Sequence, residues 1–152
     1  MPAPTTPPVT VDVIIELRAR AGAIVLIERR HPPLGFALPG GFVDVGERLE
    51  DAAIREAYEE TGLTVTLRSL LGCYSDPARD PRGQTVSAVY VGCADGVPHA
   101  GDDAAAIRVV QATHITVPLA FDHRQILDDY LVFLLTGRAA PVRPGKVTAA
   151  MP

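Results

Sequence analysis

Cysteine is scarce in this chain: Cys73 and Cys93 are the only two among 152 residues. Both lie in apolar runs and read as buried free thiols, and so small a number gives no disulfide framework. Long apolar runs are also missing, none approaching the ~20 residues of a membrane span. The N-terminal MPAPTTPPVT lacks the basic start and apolar core of a signal peptide, so a cytoplasmic location is the default expectation and no membrane partner is expected. Positive charge is not in excess. Fourteen Lys and Arg face 18 Asp and Glu, a net charge of -4, which does not suit general affinity for a nucleic-acid backbone. No internal repeat is visible. The composition, 47% hydrophobic and 21% charged, is that of a globular protein, and the length fits one domain able to bury a core.

The informative stretch is GGFVDVGERLEDAAIREAYEETGL, Gly40 to Leu63. It opens in a glycine turn and runs into a helix expected from Arg48 or Leu49 to Thr61. Gly62 is a suitable left-handed stop. Leu49, Ala53, Ile54 and Ala57 supply the apolar side, and the small alanines allow close packing on a sheet. Glu56, Glu59 and Glu60 fall at i, i+3 and i+4 and share one helical face. Like charges at these spacings repel by roughly 0.2–0.5 kcal/mol per pair. Such a face is either solvated or offered to something strongly positive, and hard divalent cations take oxygen ligands of this kind. Arg55 lies four residues before Glu59, so its guanidinium can hold a carboxylate in place. Glu47 or Asp51 near the helix start suits its positive end.

Around this stretch the chain alternates extended and turn-rich segments. Residues 1–8 hold four prolines and read as a flexible lead-in. Strands are expected at Val9–Leu17, Ala23–Ile27, Leu63–Tyr74 with an irregularity near Gly72, Thr85–Cys93 and about Ile107–Thr116. The continuous apolar run AIVLI suggests burial on both faces. Phe36–Val43 lacks the Gly-Lys-Ser/Thr ending of a phosphate loop and reads instead as a tight crossing of two short strands at Gly40 and Gly41. A second helix is expected at Phe121–Leu135, with Asp122 as its N-cap. The domain is thus residues 9–136, and 137–152 read as a loose tail. This order fits an α/β class, a mixed sheet with two helices on different faces.

Gly41, Glu47, Arg55, Glu56, Glu59, Glu60 and Gly62 occupy every fixed position of the Nudix box. Only Ala57 is smaller than the bulky aliphatic residue usual at its place. With these residues the chain resembles the Nudix hydrolases over about Arg29 to Leu127. The resemblance implies an α/β/α sandwich, a nucleotide-type small-molecule substrate, and hydrolysis of the diphosphate of a nucleoside diphosphate linked to another moiety. It implies Mg2+, or Mn2+, as cofactor. Glu56 and Glu60 would be the principal metal ligands, with Glu59 beside them and the Gly40 carbonyl as an extra ligand. Glu47 would order the site or bind an additional ion, and Arg55 would orient the cluster. The physics agrees: a densely anionic diphosphate approaches three carboxylates only with cations between them, which neutralise phosphate charge and acidify a water.

The resemblance implies Glu56 or Glu59 as the general base, or, as in many relatives, a carboxylate from a later loop. Gly101–Ile107 resembles a Gly-Asp-Asp-Ala pattern of small ADP-ribose pyrophosphatases, but Ala106 stands where a Glu is frequent and Val109 where a Trp is, leaving Asp102 and Asp103. Tyr74–Gly83 looks like the corresponding loop of those enzymes. Arg79 and Arg82 would clamp phosphate or the terminal ribose there, although Gln84 replaces a His found in many relatives. Phe121-Asp122-His123-Arg124 also resembles that group, with His123 taken as a helix-start residue outside the chemistry. The expected reaction is therefore ADP-ribose to AMP and ribose 5-phosphate. The alternatives are a nucleoside triphosphate pyrophosphohydrolase that cleans modified nucleotides, or a non-catalytic sensor of ADP-ribose-like ligands. The resemblance also implies a homodimer.

Overall fold

The structure, a computed structural model, describes residues 1–102 and 104–145. The chain runs β1 (Val9–Leu17), β2 (Ala23–Arg29), β3 (Phe36–Ala37), β4 (Gly40–Phe42), α1 (Leu49–Thr61), β5 (Thr66–Tyr74), β6 (Val86–Ala94), β7 (Ala104–Gln111) and α2 (His123–Thr136). These strands join one sheet with the main path β3-β2-β1-β6-β5, to which β4 adds on β1 and β7 on β2. β1 and β6 run parallel while the other pairs are antiparallel, so the sheet is mixed as expected.

β1 positions the site. Its side chains alternate between the faces of the sheet. Val11, Val13 and Ile15 pack with Ala52, Ala53 and Ala57 of α1. Ile14 packs on the other face with Ile126, Leu127 and Tyr130 of α2. Asp12 shares the parity of Ile14 and is buried. Each fully buried Val or Ile contributes roughly 1.5–3 kcal/mol, which keeps β1 central although it carries a buried carboxylate.

The small side chains of α1 let its backbone lie close on the sheet. Ile54, expected on this inner side, is 36% exposed, and Ala52 takes the inward place. Gly62 closes α1 at φ +69°, its N–H donating to Tyr58 O. Asp122 sits at the N-cap of α2, but its side chain makes no capping bond; it is used elsewhere, as described below. The crossing at Gly40 and Gly41 is as tight as the sequence suggests. β4 pairs with β1 through Asp12–Gly40 and Val11–Gly41, and a Cβ on Gly40 would collide with the backbone of Val11.

Other expectations are corrected. The last strand is Ala104–Gln111 rather than about Ile107–Thr116, because its partner β2 spans the register from Arg29 to Ala23. Cys73 is exposed, not buried. The register of β5 shifts between Leu70 and Gly72, so Leu71 and Tyr74 turn inward and Cys73 outward. Beyond α2 the chain doubles back. Ala140 N–H donates to Leu71 O at 2.7 Å, and Arg143 Nη2 lies 2.9 and 2.7 Å from the two Asp129 oxygens. That part of the expected loose tail is tied to β5 and α2; residues 146–152 lie outside the described residues.

Candidate active site

α1 carries its carboxylates to the β1–β4 crossing. Glu60 Oε2 accepts the Gly40 N–H at 2.9 Å. Glu56 fills the space above Gly41, where a Cβ would collide with its carboxylate. Arg55 is the hub of the remaining charges. Its Nε lies 2.8 Å from Glu47 Oε1 and its Nη2 2.9 Å from Glu47 Oε2, a two-point pair. Nη1 lies 2.8 Å from Glu56 Oε1 and 3.3 Å from Glu59 Oε2, and Nη2 also donates to Phe42 O at 3.1 Å.

The electrostatics separate these acids. Burial, opposed by the Gly40 N–H and reinforced by Glu56 and Asp12, pushes the Glu60 carboxyl up to about 8. Burial also raises Glu56, against the pull of Arg55. The Arg55 hydrogen bonds push Glu47 down to about 2, and the same bonds, with that to Glu56, raise Arg55 above its ordinary range.

Among the described residues no three acidic or histidine side chains converge as a ready-made metal cage. The bonds above give the reason. Arg55 draws Glu47, Glu56 and Glu59 toward itself, and the Gly40 amide holds Glu60. The donor set nonetheless fits a hard divalent cation, because Glu60 is a half-buried carboxylate with no cationic side chain in ion-pair contact among the described residues. This makes a pH-dependent prediction. An acid whose folded pKa exceeds its unfolded value favours folding most in acid. The metal-free contribution of Glu60 is therefore full below about 4.5 and lost as the pH rises through about 8. A cation paired with Glu60 cancels that loss, so Mg2+ should raise the melting temperature more at about pH 8 than in mild acid. Equal shifts at both pH values in a thermal melt would remove the assignment.

Beside the Gly40–Gly41 turn lies a cleft of about 60 Å³, bounded by Asp12, Arg29, Gly40, Gly41, Arg82 and Phe121. Arg82 is held by Asp80, with contacts of 3.0 and 2.8 Å, and its Cζ lies 5.3 Å from the Phe121 ring centre. Arg29 Cζ lies 4.5 Å from the same ring, and Phe121 sits in left-handed backbone at φ +55°. Strained backbone of this kind costs about 1–3 kcal/mol and gathers at functional sites. Arg79 is placed differently from Arg82. It is buried, its Nε and Nη2 lie 3.0 and 2.9 Å from the two Asp122 oxygens, and its Nη1 lies 2.8 Å from Thr85 Oγ1. Asp122 thus serves Arg79 instead of capping α2.

A larger hollow of about 420 Å³ lies on the other flank of Glu59, between Tyr58, His99, Gly101 and Asp102. Its lining includes neither Gly40 nor Arg29, Arg79 or Arg82, all of which line the smaller cleft. Asp102 is exposed on this hollow, and Asp103 lies outside the described residues. Sequence reasoning gave no chemistry to Asp12, Arg29, Phe121 or His123. The signals were Asp12, set between valines in the strand VTVDVIIEL, and the FDHR string at the start of α2.

A fold and a box of this kind define a class, and the chain belongs to the Nudix family of pyrophosphohydrolases: a NUDIX domain model matches residues 6–130. The ADP-ribose pyrophosphatase of Methanocaldococcus jannaschii is 46% identical over 128 residues, 82% of this chain and 73% of that protein. The NUDIX domain of Shewanella oneidensis NrtR, solved with ADP ribose, superposes with TM-score 0.74 at 26% identity, over 86% of this chain and 90% of that one. A mutT/nudix family protein of Listeria innocua superposes with TM-score 0.69 at 35% identity, over 87% of this chain and all of that one.

Proposed function

We propose that this protein hydrolyses ADP-ribose to AMP and ribose 5-phosphate with Mg2+ or Mn2+ bound at Glu56, Glu60, Glu59 and the Gly40 turn. The observation that carries this is the glycine turn shared by two charge sets: Gly40 and Gly41, which touch half-buried Glu60 and Glu56, line the same small cleft as Arg29 and Arg82. Beside the carboxylates a diphosphate needs added cations, because Arg55 there is already engaged by Glu47, Glu56 and Glu59. Similarity to the ADP-ribose pyrophosphatase of Methanocaldococcus jannaschii, and to an NrtR domain complexed with ADP ribose, supports the substrate.

When bound, the divalent ion neutralises phosphate charge and acidifies water. The protein groups do the rest. Water oxygen bonds to one phosphorus, the bridging P–O bond breaks, and the bridging oxygen leaves with the other phosphate. The water's proton passes to the Glu56–Glu59 pair, of which Glu56 has the carboxyl raised by burial. Arg55 keeps that pair oriented, with Glu47 as its anchor. Arg82 binds the distal phosphate or ribose as a charge held by Asp80. Arg79 shapes the loop that carries Arg82, its own donors being bound to Asp122 and Thr85.

A homodimer located in the cytoplasm belongs to the same proposal. Exposed Val132, Leu134 and Leu135 on α2 and Leu70 on β5 support association, and an exposed free thiol at Cys73 suits a reducing compartment. No helix among the described residues is long and apolar enough to cross a membrane.

Product analysis over a panel of nucleoside diphosphate compounds and triphosphates, with Mg2+ and with Mn2+, tests the activity. AMP from ADP-ribose is expected. Pyrophosphate from a triphosphate with no AMP from ADP-ribose would favour the house-cleaning alternative, and tight ADP-ribose binding without turnover at any metal concentration would make this a sensor.

A further inference from the structure

We infer that His123 is a positioning residue for the active-site glycine turn, acting with Asp12 as a bracket around Leu38–Gly40; the inference rests on the proposal that this turn forms one wall of the metal site. His123 opens α2 and is only 1% exposed. Its Nδ1 accepts the Leu38 N–H at 3.0 Å. A ring nitrogen that accepts carries no proton, so the proton sits on Nε2. Nε2 lies 3.4 Å from Asp12 Oδ1. The other Asp12 oxygen accepts from Ser87 Oγ at 2.5 Å and lies 3.7 Å from Arg79 Nη2. Burial works to raise the Asp12 carboxyl, but His123, Ser87 and Arg79 outweigh it and keep the acid ionised.

What this arrangement grips is specific. β3 ends at Ala37 and β4 begins at Gly40, so Leu38 and Pro39 lie between strands. Pro39 has no N–H, and its carbonyl accepts from Val13 N–H at 2.8 Å. The Leu38 amide is thus the single backbone donor of the link, and a side chain 85 residues away satisfies it. Gly40 then pairs with Asp12 in the β1–β4 ladder. A Cβ on Gly40 would lie 2.8 Å from Asp12 Oδ1, so the carboxylate packs directly against this glycine. The Gly40 N–H continues to Glu60. One imidazole therefore sets the turn from both sides, through Leu38 directly and through Asp12. Supporting residues that orient metal-binding groups change metal affinity or activity by about 10–100-fold when lost.

The test compares His123→Leu with His123→Asn, whose side-chain oxygen can replace Nδ1 toward the Leu38 N–H. Mn2+ binding without substrate is followed by electron paramagnetic resonance, and Leu38 amide exchange by NMR. His123→Leu should bind Mn2+ about 10–100-fold more weakly and exchange the Leu38 proton faster, while His123→Asn restores both toward wild type. In turnover, the Mg2+ concentration for half-maximal rate should rise while KM for ADP-ribose at saturating metal stays unchanged. Wild-type Mn2+ affinity in His123→Leu would overturn the bracket, as would equal damage in the Asn variant. If His123→Leu does not fold, Ser87→Ala, which strips one partner from Asp12, should weaken Mn2+ binding in the same direction, and unchanged binding there would overturn it too. A wild-type protein that takes up no Mn2+ would instead bring down the metal reading of α1, and the bracket's purpose with it.

Discussion

Glu60→Gln should abolish most turnover while leaving the protein folded. Glu60 is a half-buried acid of the site, and its charge exists near neutral pH only at a cost set by burial and by neighbouring Glu56 and Asp12. Gln keeps an oxygen for the Gly40 N–H and removes the charge that a cation would pair with. If Glu60 holds the ion as proposed, losing it removes several kcal/mol of transition-state charge stabilisation, or roughly 10²–10⁴-fold in rate. The metal-free melting temperature should hold or rise at about pH 8, where the wild-type acid opposes folding. The Mg2+-dependent gain in stability should disappear. Steady-state kinetics and thermal melts of the two proteins decide this. Full activity in the variant would reject Glu60 as a ligand, and a collapse of the melting temperature would make its role structural.

Arg55→Ala should produce the next largest effect. Its guanidinium holds Glu47 by two contacts and also reaches Glu56, Glu59 and Phe42 O. Removal frees three carboxylates that then repel one another, and the expected fall in kcat/KM is about 10–100-fold, as for other residues that orient a metal site. Arg55→Lys should recover little, because an ammonium cannot form the two-point pair with Glu47. A separate readout is the Glu47 titration. In the wild type its depressed pKa stabilises the fold above about 4.5, and that stability is lost as the pH falls toward about 2. In Arg55→Ala the Glu47 carboxyl should return toward its ordinary value in an NMR titration. A Glu47 titration unchanged from wild type would show that Arg55 does not anchor it.

The elements with local signals were the most legible. Val9–Leu17, α1 and its Gly62 stop stand where β-branched runs, helical spacing and a left-handed glycine place them. Elements whose limits come from partners were less so. β7 is bounded by the register of β2, and Cys73 is turned outward by a shift in pairing with β6. The cleft followed the same division. Glu56, Glu59 and Glu60 share a face because of spacing within one helix. Arg79 and Arg82 are three residues apart on one loop, yet one is buried against Asp122 and the other faces Phe121, a difference made by residues some forty positions downstream.

By itself the sequence determined the acidic ridge of α1, the glycine turn that meets it and the mixed-sheet architecture, since each depends on backbone preference and side-chain period over a few residues. Only the tertiary structure decided how those acids are held and what faces them. Pairing of β1 with β4 brings Asp12 against Gly40, the start of α2 delivers His123 to Leu38, and Arg29 and Arg82 meet over Phe121. These contacts join residues far apart in the chain, and burial changes the charge behaviour of the groups they enclose, so neither can be read from neighbours in sequence.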